Sequence, residues 1–442
     1  MIINNIHIDE CLGDRLDAQQ FHPERLSMIR RLKTITCCKL KEVAKNVKTV
    51  TTCLSNEDVY IGLENVTCGT GEYIPGIKES ISTAAVFKKG DILFSKLRPY
   101  LNKVYLAEFS GKSSTEFYIL EATNILPEYL AIILRSDIII AQTKHLVTGN
   151  TLPRLQTSDI ENLLIPYPSS TFQQKIVDLY TAAQNAKLQK DKEAKELLVS
   201  IDDYLLEALS INPSQEVSSE SVFTKRMSEM IGNRLDVSFY KDRFEMVSGI
   251  YPNKRLSSIV DIDPTIRFTG LADDTPISFI PMECIDDTFG EVKEQRETMI
   301  AQTKGYTKFE ENDLLWAKIT PCMQNGKSAI ARNLTNGVGC GSTEYYVIRP
   351  KTDDLIIDYV YLLLRHHAVL KAAQNSFGGS AGQQRVSSQY MKSIVIPHPP
   401  IDVQKSIIET VTHKKERAKQ LQNEGSKVLE EAKATIEKMI LG

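Results

Sequence analysis

Hydrophobic and polar positions run through the same order twice along this chain. Short apolar runs bounded by Asn, Asp, Gly or Pro read as strands: DVYIGLENV (58–66) in the first half and ISFIPMECI (277–285) in the second. A charged turn follows, KKGD (88–91) or EEND (310–313), and then a strand, ILFSKL (92–97) or LLWAKI (314–319). STEFYIL (114–120) and STEYYVI (342–348) predict further strands. Residues 126–146 and 355–373 place apolar side chains three and four apart, which predicts one amphipathic helix in each half. A polar loop comes next, TGNTLPR (148–154) or GGSAGQQR (378–385). A last strand, ENLLIPYP (161–168) or MKSIVIPHP (391–399), closes each half. The pattern predicts two mixed α/β heads.

Each head is followed by a stretch of about forty residues with a different periodicity. Residues 171–210 contain no Gly or Pro, and residues 401–440 contain one Gly and no Pro. Both are dense in Ala, Leu, Glu and Lys, the strong helix formers. In the second, Val411, Ala418, Gly425, Ala432 and Met439 are spaced by seven, with Leu421, Val428 and Thr435 between them. That is an a/d seam. In the first, Tyr180, Lys187, Ala194, Ile201 and Ala208 take the same frame, with Leu197 and Tyr204 between, and Lys187 and Lys190 interrupt it. A helix of this length runs to about 60 Å at 1.5 Å per residue, more than one such head can cover. The expectation is that the two helices pair with each other. The plainer reading is that each packs on its own head.

The two halves are a tandem duplication. RLD recurs at 15–17 and 234–236, and IPYP (165–168) matches IPHP (396–399), so the offset grows from 219 to 231. The unit is far longer than the repeats of a solenoid. At 442 residues the chain has room for two to three domains, and 42% hydrophobic with 25% charged residues is ordinary for a globular protein. MIINNIHIDE lacks the basic start and apolar stretch of a secretory signal, and no run is long enough to span a bilayer, so the expected location is cytoplasmic. The eight cysteines form no CxxC pair and are expected to be reduced structural thiols. A net charge of −3 argues against a protein coated in nucleic-acid-binding charge but leaves room for a local basic groove.

Candidate chemistry is sparse. NGKS (325–328) resembles the end of a phosphate-binding loop, but Pro321 stands where that loop needs its first glycine. Asp287, Glu291 and Lys293 mimic a nuclease centre within one tight turn, with no counterpart expected in the first copy. His366 and His367 are adjacent on a helix and point to different faces. No GxSxG, HExxH or glycine-rich dinucleotide junction occurs, and no metal site or catalytic residue is expected. What remains is a polar, basic set flanking the duplicated strands. In copy one it is Lys96, Arg98, Tyr100, Asn102, Lys103 and Arg154. In copy two it is Lys318, Thr320, Gln324, Asn325, Lys327, Gln383, Gln384 and Arg385. Such side chains bond base edges and neutralise phosphates; they also serve as solvated strand edges whose lysines block aggregation. Their recurrence in both copies favours a DNA-binding role. Ser114, Thr115 and Glu116, repeated as Ser342, Thr343 and Glu344, read as structural, in a buried polar network.

The whole arrangement resembles the specificity subunit of a Type I restriction–modification system. The motifs that carry the resemblance are RLD at 15–17 and 234–236, GDILFSKLRPYLNK (90–103), NDLLWAKITPCMQNGKSA (312–329), STEFY and STEYY, and IPYPSSTFQQKIV and IPHPPIDVQKSII. The resemblance implies two tandem target recognition domains separated by two long antiparallel, coiled-coil-like helices in a pseudo-twofold layout. It places recognition domains at 1–170 and 212–400 and spacer helices at 171–211 and 401–442. It also implies double-stranded DNA with a bipartite target, each head reading one half, two methyltransferase subunits recruited by the helices, and restriction subunits joining that core. No catalysis is expected of this chain, and S-adenosylmethionine, ATP and Mg²⁺ would belong to the partner subunits. Two alternatives stand beside it. One is a scaffold that binds only protein. The other is the recognition part of a fused methylase or nuclease, which would need an NPPY-like motif or a spaced nuclease triad, and this chain has neither.

Overall fold

The computed structural model describes residues 21–53, 58–76, 83–148, 152–212, 244–378 and 384–442. Both RLD motifs lie outside the described residues. The chain divides into two compact units, one of Met1–Asp191 with Gln422–Gly442 and the other of Lys192–Leu421. Among the described residues no helix is long and apolar enough to cross a membrane.

In the first unit a four-stranded antiparallel sheet runs in the order Ala44–Asn46, Phe117–Ala122, Ile92–Ser95, Val104–Leu106. Its counterpart in the second unit runs Val260–Ile262, Tyr345–Pro350, Leu314–Ala317, Ser328–Ile330. The central strands are buried on both faces, as their unbroken apolar sequence requires. Side chains alternate across a strand, and the two sets enter different cores. Ile92, Phe94, Tyr118 and Leu120 pack with the helices, while Leu93, Phe117 and Ile119 pack with the second sheet. Leu314, Trp316, Tyr346 and Ile348 likewise face the helices, and Leu315, Tyr345 and Val347 the second sheet. Each unit is thus three layers deep.

The second sheets share three strands. Ala84–Phe87, Gly111–Ser113 and Tyr60–Ile61 correspond to Thr307–Glu310, Val338–Gly341 and Pro276–Ile280, with the last two strands parallel in both units. The fourth described strand differs. Val50–Thr51 pairs with Ala84–Phe87 in one unit, and Arg296–Met299 pairs with Pro276–Ile280 in the other. The duplicated core is retained and the edges have diverged.

The single amphipathic helix expected at 126–146 is two short helices, Pro127–Leu134 and Asp137–Thr143, and that at 355–373 is Ile357–Arg365 and His367–Gln374. The breaks fall at residues in extended conformation that cap the next helix, Ser136 (ψ 162°) and His366, whose ring accepts the Ala368 N–H. Every residue from Tyr129 to Leu134 is buried, so that helix is apolar all round. The strands expected at 58–66 and 277–285 are also shorter, each giving way to a 3-10 turn, Leu63–Asn65 or Met282–Cys284.

The two long helices are present, Ser170–Ala208 and Ile401–Leu441. Within each unit they run antiparallel. In the first, a Cβ on Gly425 would lie 3.3 Å from the Cα of Lys187, and Lys190 pairs with Glu424 at 2.6 Å. The glycine in mid-helix is therefore a gap cut for the lysine that interrupts the opposite seam. In the second, Ala194 meets Ala418 and Leu421, and Lys414 reaches Ser200 Oγ at 2.8 Å. The expected seam holds at Val411, Ala418, Gly425 and Ala432, all buried, but Leu429, Ile436 and Ile440 replace Val428, Thr435 and Met439 as its inner partners. An α-helix drifts about 20° per heptad against a strict seven-residue repeat, so the buried line slips by one position toward the C-terminus.

A buried glutamine fastens the start of each long helix to its head. Gln173 accepts the Leu126 N–H at 3.1 Å and donates to Pro168 O at 3.0 Å. Gln404, fully buried, accepts the Ile356 N–H and donates to Asp354 O and Pro399 O, each at 2.9 Å. Gln404→Leu would strand these main-chain groups without water and should cost about 2–4 kcal/mol. The exposed neighbour Gln174→Ala should stay within about 0.5 kcal/mol. Urea unfolding midpoints followed by circular dichroism check both values.

Candidate nucleic-acid interface

The polar set flanking the duplicated strands gathers, in each unit, where the central strand ends. Ser95 pairs with Phe117 and Ala317 with Tyr345 as the last residues of the ladder. The next residue is a lysine in both. The Lys96 N–H donates to Glu116 O at 2.9 Å, and the Lys318 N–H to Glu344 O at 2.9 Å. The segment after the polar loop returns alongside. Leu97 bridges Arg154 and Ile319 bridges Arg385. The Arg98 N–H donates to Pro153 O at 2.8 Å, and the Thr320 N–H to Gln384 O at 3.0 Å. A turn at 98–102, or 320–326, is therefore held from both sides by backbone.

Arg154 and Arg385 do not stand free. Arg154 grips Glu116 through Nε and Nη2 at 2.9 and 2.8 Å. Arg385 grips Glu344 in the same fork at 2.8 and 2.7 Å. The Arg154 guanidinium holds the Glu116 carboxyl below its usual range, and Arg385 does the same for Glu344. The glutamates belong to the repeated Ser-Thr-Glu. Their N–H groups donate to Ser114 Oγ and Ser342 Oγ, both at 3.2 Å. The motif is structural as expected, but half-exposed instead of buried.

The lysines differ in what they touch. Lys96 Nζ donates to Thr115 O, and Lys318 Nζ to Tyr345 O at 3.2 Å, with its ammonium 5.1 Å from the Tyr346 ring. Burial lowers the Lys96 ammonium from its ordinary value. Lys103 Nζ donates to Leu63 O at 2.6 Å and Lys327 Nζ to Met282 O at 3.2 Å, at matching positions of the two copies. A carbonyl takes one N–H and leaves the unit charge in place. Arg98 is exposed and left-handed (φ 48°), and Tyr100 is 50% exposed. Asn102 (φ 50°) spends its amide on Arg135 O at 2.6 Å. Gln324 and Asn325 are exposed, the two residues by which the second turn is longer, and Gln384 is half-buried. Gln383 lies outside the described residues.

Sequence reasoning missed a second arginine. Arg135 and Arg365 end equivalent helices and tie down equivalent turns. Arg135 reaches Thr70 O, while Arg365 reaches Gly326 O, and Asp287 O at 2.8 Å. Gly71 and Gly290 (both φ 69°) occupy those turns, and Glu72 and Glu291 follow them. Glu291 thus has a counterpart in Glu72, but the trio with Asp287 and Lys293 has none, since Cys68 and Ile74 stand at those positions of the first copy. Glu291 pairs with Lys419, and Lys293 pairs with Asp286 at 3.3 Å, so this acidic turn is bound up in ion pairs. The equivalent Arg positions after long apolar runs were the available signal.

Among the described residues one group brings three potential metal donors within 4.8 Å: His22, Glu24 and His145. The imidazoles stack 3.5 Å apart at 16°, and Glu24 is held by Lys144 and by His145 at 3.2 Å. Ring lone pairs lie in the ring planes, so near-parallel rings set them side by side, and the Lys144 ammonium occupies the carboxylate. The group serves as an ion-pair cluster. The seven cysteines among the described residues are all free.

The two heads share one fold, each with the same basic strand end and a different turn. The comparisons agree. The model of the Type I restriction modification DNA specificity domain matches residues 34–197 and again 253–431, and the chain belongs to that family. It is 38% identical over 156 residues to the Type I restriction enzyme EcoEI specificity subunit of Escherichia coli, covering 35% of this chain and 26% of that one. It is 35% identical over 212 residues to the EcoAI specificity subunit of the same organism, covering 46% of this chain and 34% of that one. The matched regions therefore span about a quarter to a third of those relatives. A solved structure described as showing complex assembly and conformational transition of the type I R-M system shares the fold, with a TM-score of 0.51 at 17% identity over 92% of this chain and 96% of that one.

The depressed glutamates give a pH signature. A carboxyl with a lowered folded pKa contributes stability above its unfolded value, near 4.5, and loses it as pH falls through the lower folded value. In ¹³C NMR the side-chain carboxyl carbons of Glu116 and Glu344 should titrate below 4.5. In Arg154→Ala the Glu116 resonance should move back to the ordinary range while Glu344 stays.

Proposed function

We propose that this chain is the DNA-sequence-specificity subunit of a Type I restriction–modification complex. Each head reads one half of a bipartite duplex target. The long helices set the spacing and recruit two methyltransferase subunits, to which restriction subunits add. The chain itself does no chemistry; methyl transfer and ATP-dependent cleavage, with S-adenosylmethionine, ATP and Mg²⁺, belong to the partners. One observation carries this reading. In both heads the frame around the strand end is kept, Lys96 with Lys318, Lys103 with Lys327 and Arg154 with Arg385. The side chains presented between are changed, Arg98 for Thr320 and Tyr100 for Cys322, with Gln324 and Asn325 added. A catalytic site duplicated for one reaction would keep its exposed side chains. Two readers of different base sequences would keep the frame and vary the tips.

The DNA-facing surface in this reading comprises Lys96, Arg98, Tyr100, Asn102, Lys103, Lys318, Thr320, Gln324, Asn325, Lys327, Gln383 and Gln384, with Arg154 and Arg385 at its margin. Phosphate neutralisation makes affinity fall linearly in log–log with salt. Binding of the chain and its methyltransferase to DNA carrying the methylated target should show that slope. Lys103→Ala and Lys327→Ala should each reduce its magnitude by about one. No salt-dependent binding would leave the protein-scaffold reading in its place.

The spacing role is tested separately. Deleting 193–196 shortens the first long helix by about 6 Å, roughly two base pairs at 3.4 Å each. The two half-site sequences should survive in the methylated target while the spacer between them changes. Full methylation at the original spacer would show that the helices do not set it.

A further inference from the structure

The arginines of the two forks invite reading as DNA contacts, being basic, partly exposed and next to the variable turns. Their bonding points elsewhere. A guanidinium held in a two-point fork by a carboxylate presents a neutralised pair, whose charge is largely spent before any phosphate arrives. The same fork occurs in both units, on residues 38 and 41 positions from their glutamates. It survives although the neighbouring tips have been replaced. Residues that read sequence should differ between the two heads, as Arg98 and Thr320 do. These do not.

The fork lies where it can govern the turn. Glu116 and Glu344 immediately precede the strand beside the central one, and their carbonyls take the Lys96 and Lys318 N–H groups. Arg154 and Arg385 are on the returning segment, whose Pro153 and Gln384 carbonyls take the Arg98 and Thr320 N–H groups. Leu155 and Val386 donate back to Lys96 O and Lys318 O at 3.0 and 2.9 Å. Each ion pair therefore joins the two segments that flank the stem of the turn. Beside the pair stands the stem lysine, close enough that its charge helps to lower the glutamate. Lysine, glutamate and arginine together carry one net positive charge, so the frame remains attractive to DNA while its arginine is occupied.

Resting on the DNA-recognition reading, we infer that Arg154 and Arg385 are positioning residues: each, locked to Glu116 or Glu344, fixes the turn that carries the base-reading side chains and does not itself touch DNA. This reassigns the two arginines expected from sequence to be contacts. Head one and head two each carry their own lock, so breaking one loosens recognition of one half-site only.

The test uses the full chain with its methyltransferase partner, and three variants per head: Glu116→Gln, Arg154→Ala and the exchange Glu116→Arg with Arg154→Glu. Hydrogen exchange in the absence of DNA reads the lock alone. The Arg98, Thr148 and Arg154 amides should exchange at least tenfold faster in Glu116→Gln, with the Ile92–Ser95 amides unchanged, and the exchange variant should restore them to within about threefold. With DNA, Glu116→Gln and Arg154→Ala should both lower discrimination at one half-site about tenfold, leave the other half-site intact, and leave the salt slope unchanged; the exchange variant should recover discrimination. Unchanged amide exchange in Glu116→Gln overturns the inference, as does failure of rescue in a folded exchange variant. A salt slope lowered by about one in Arg154→Ala also overturns it, since that is the mark of a phosphate contact. Absence of salt-dependent DNA binding by the unsubstituted complex would instead defeat the recognition reading and leave the lock to be judged on hydrogen exchange alone.

Discussion

Each head closes its hydrophobic core only with both long helices. In the first unit Ile176, Tyr180 and Ala183 come from one helix and Leu429, Ala432, Ile436 and Ile440 from the other. In the second, Ile201, Leu205 and Leu209 meet Ile407 and Val411. Burying a leucine or isoleucine is worth about 1.5–3 kcal/mol. Leu429, Ile436 and Ile440 together are comparable to the whole net stability of a domain, about 5–15 kcal/mol. The first unit therefore depends on the last twenty residues of the chain, and its core is complete only when they dock. The sheets, turns and forks all rest on a core closed this way.

Duplication preserved that closure while exchanging the parts that make it. The arginine ending each short helix lies over a tyrosine ring, but the tyrosine comes from different elements. Tyr180, on the long helix, lies 5.3 Å from Arg135, whereas Tyr361, on the short helix, lies 5.7 Å from Arg365. Where one copy has Tyr180 and Ala131, the other has Val411 and Tyr361. The aromatic volume has moved across the interface and the cation has kept its partner. Lys415 then uses Tyr361 as well, 3.0 Å from its hydroxyl, and burial pushes the Lys415 amine down to about 7. The aromatic ring is kept while the element that donates it changes, and the hydroxyls fare differently: Tyr361 donates to Phe289 O and Gly290 O, whereas the buried Tyr180 hydroxyl has no hydrogen-bond partner among the described residues.

Much of this was legible in the sequence because it depends on local periodicity. The two heads, their order of strands, the two long helices and the interrupted seam at Lys187 all follow from spacing. The errors have a common cause, which is tertiary context. Residues 126–146 carry helical spacing throughout, yet Ser136 and His366 leave the helix because their conformations cap a second one. The seam drifts to Leu429 and Ile436 because the helix turns at its own pitch. The basic set was visible as a set, but not its internal division. Nothing local shows that Arg154 is spent on a glutamate 38 residues away while Lys103 is bonded only to a carbonyl. The repeated Ser-Thr-Glu was the available clue, since a carboxylate kept in both copies next to a basic face needs a cation.

That division bears on where such a head can change the side chains it presents. The fixed points are Lys96 and Lys103 in one head and Lys318 and Lys327 in the other, and the turn between them is two residues longer in the second. Both ends of the turn are anchored by main-chain hydrogen bonds and by an ion pair at the surface, and its inner residues, Pro99 in one head and Met323 in the other, are buried. A substitution at the exposed positions, Arg98 and Tyr100 or Gln324 and Asn325, then leaves buried volume untouched and should cost little stability, because surface changes away from caps and cores are usually within about 0.5 kcal/mol. The same change placed two residues before the stem lysine, at Phe94 or Trp316, would open or overfill a core at several times that cost. Variation is thus channelled to positions where a new side chain alters what is presented and not whether the head folds.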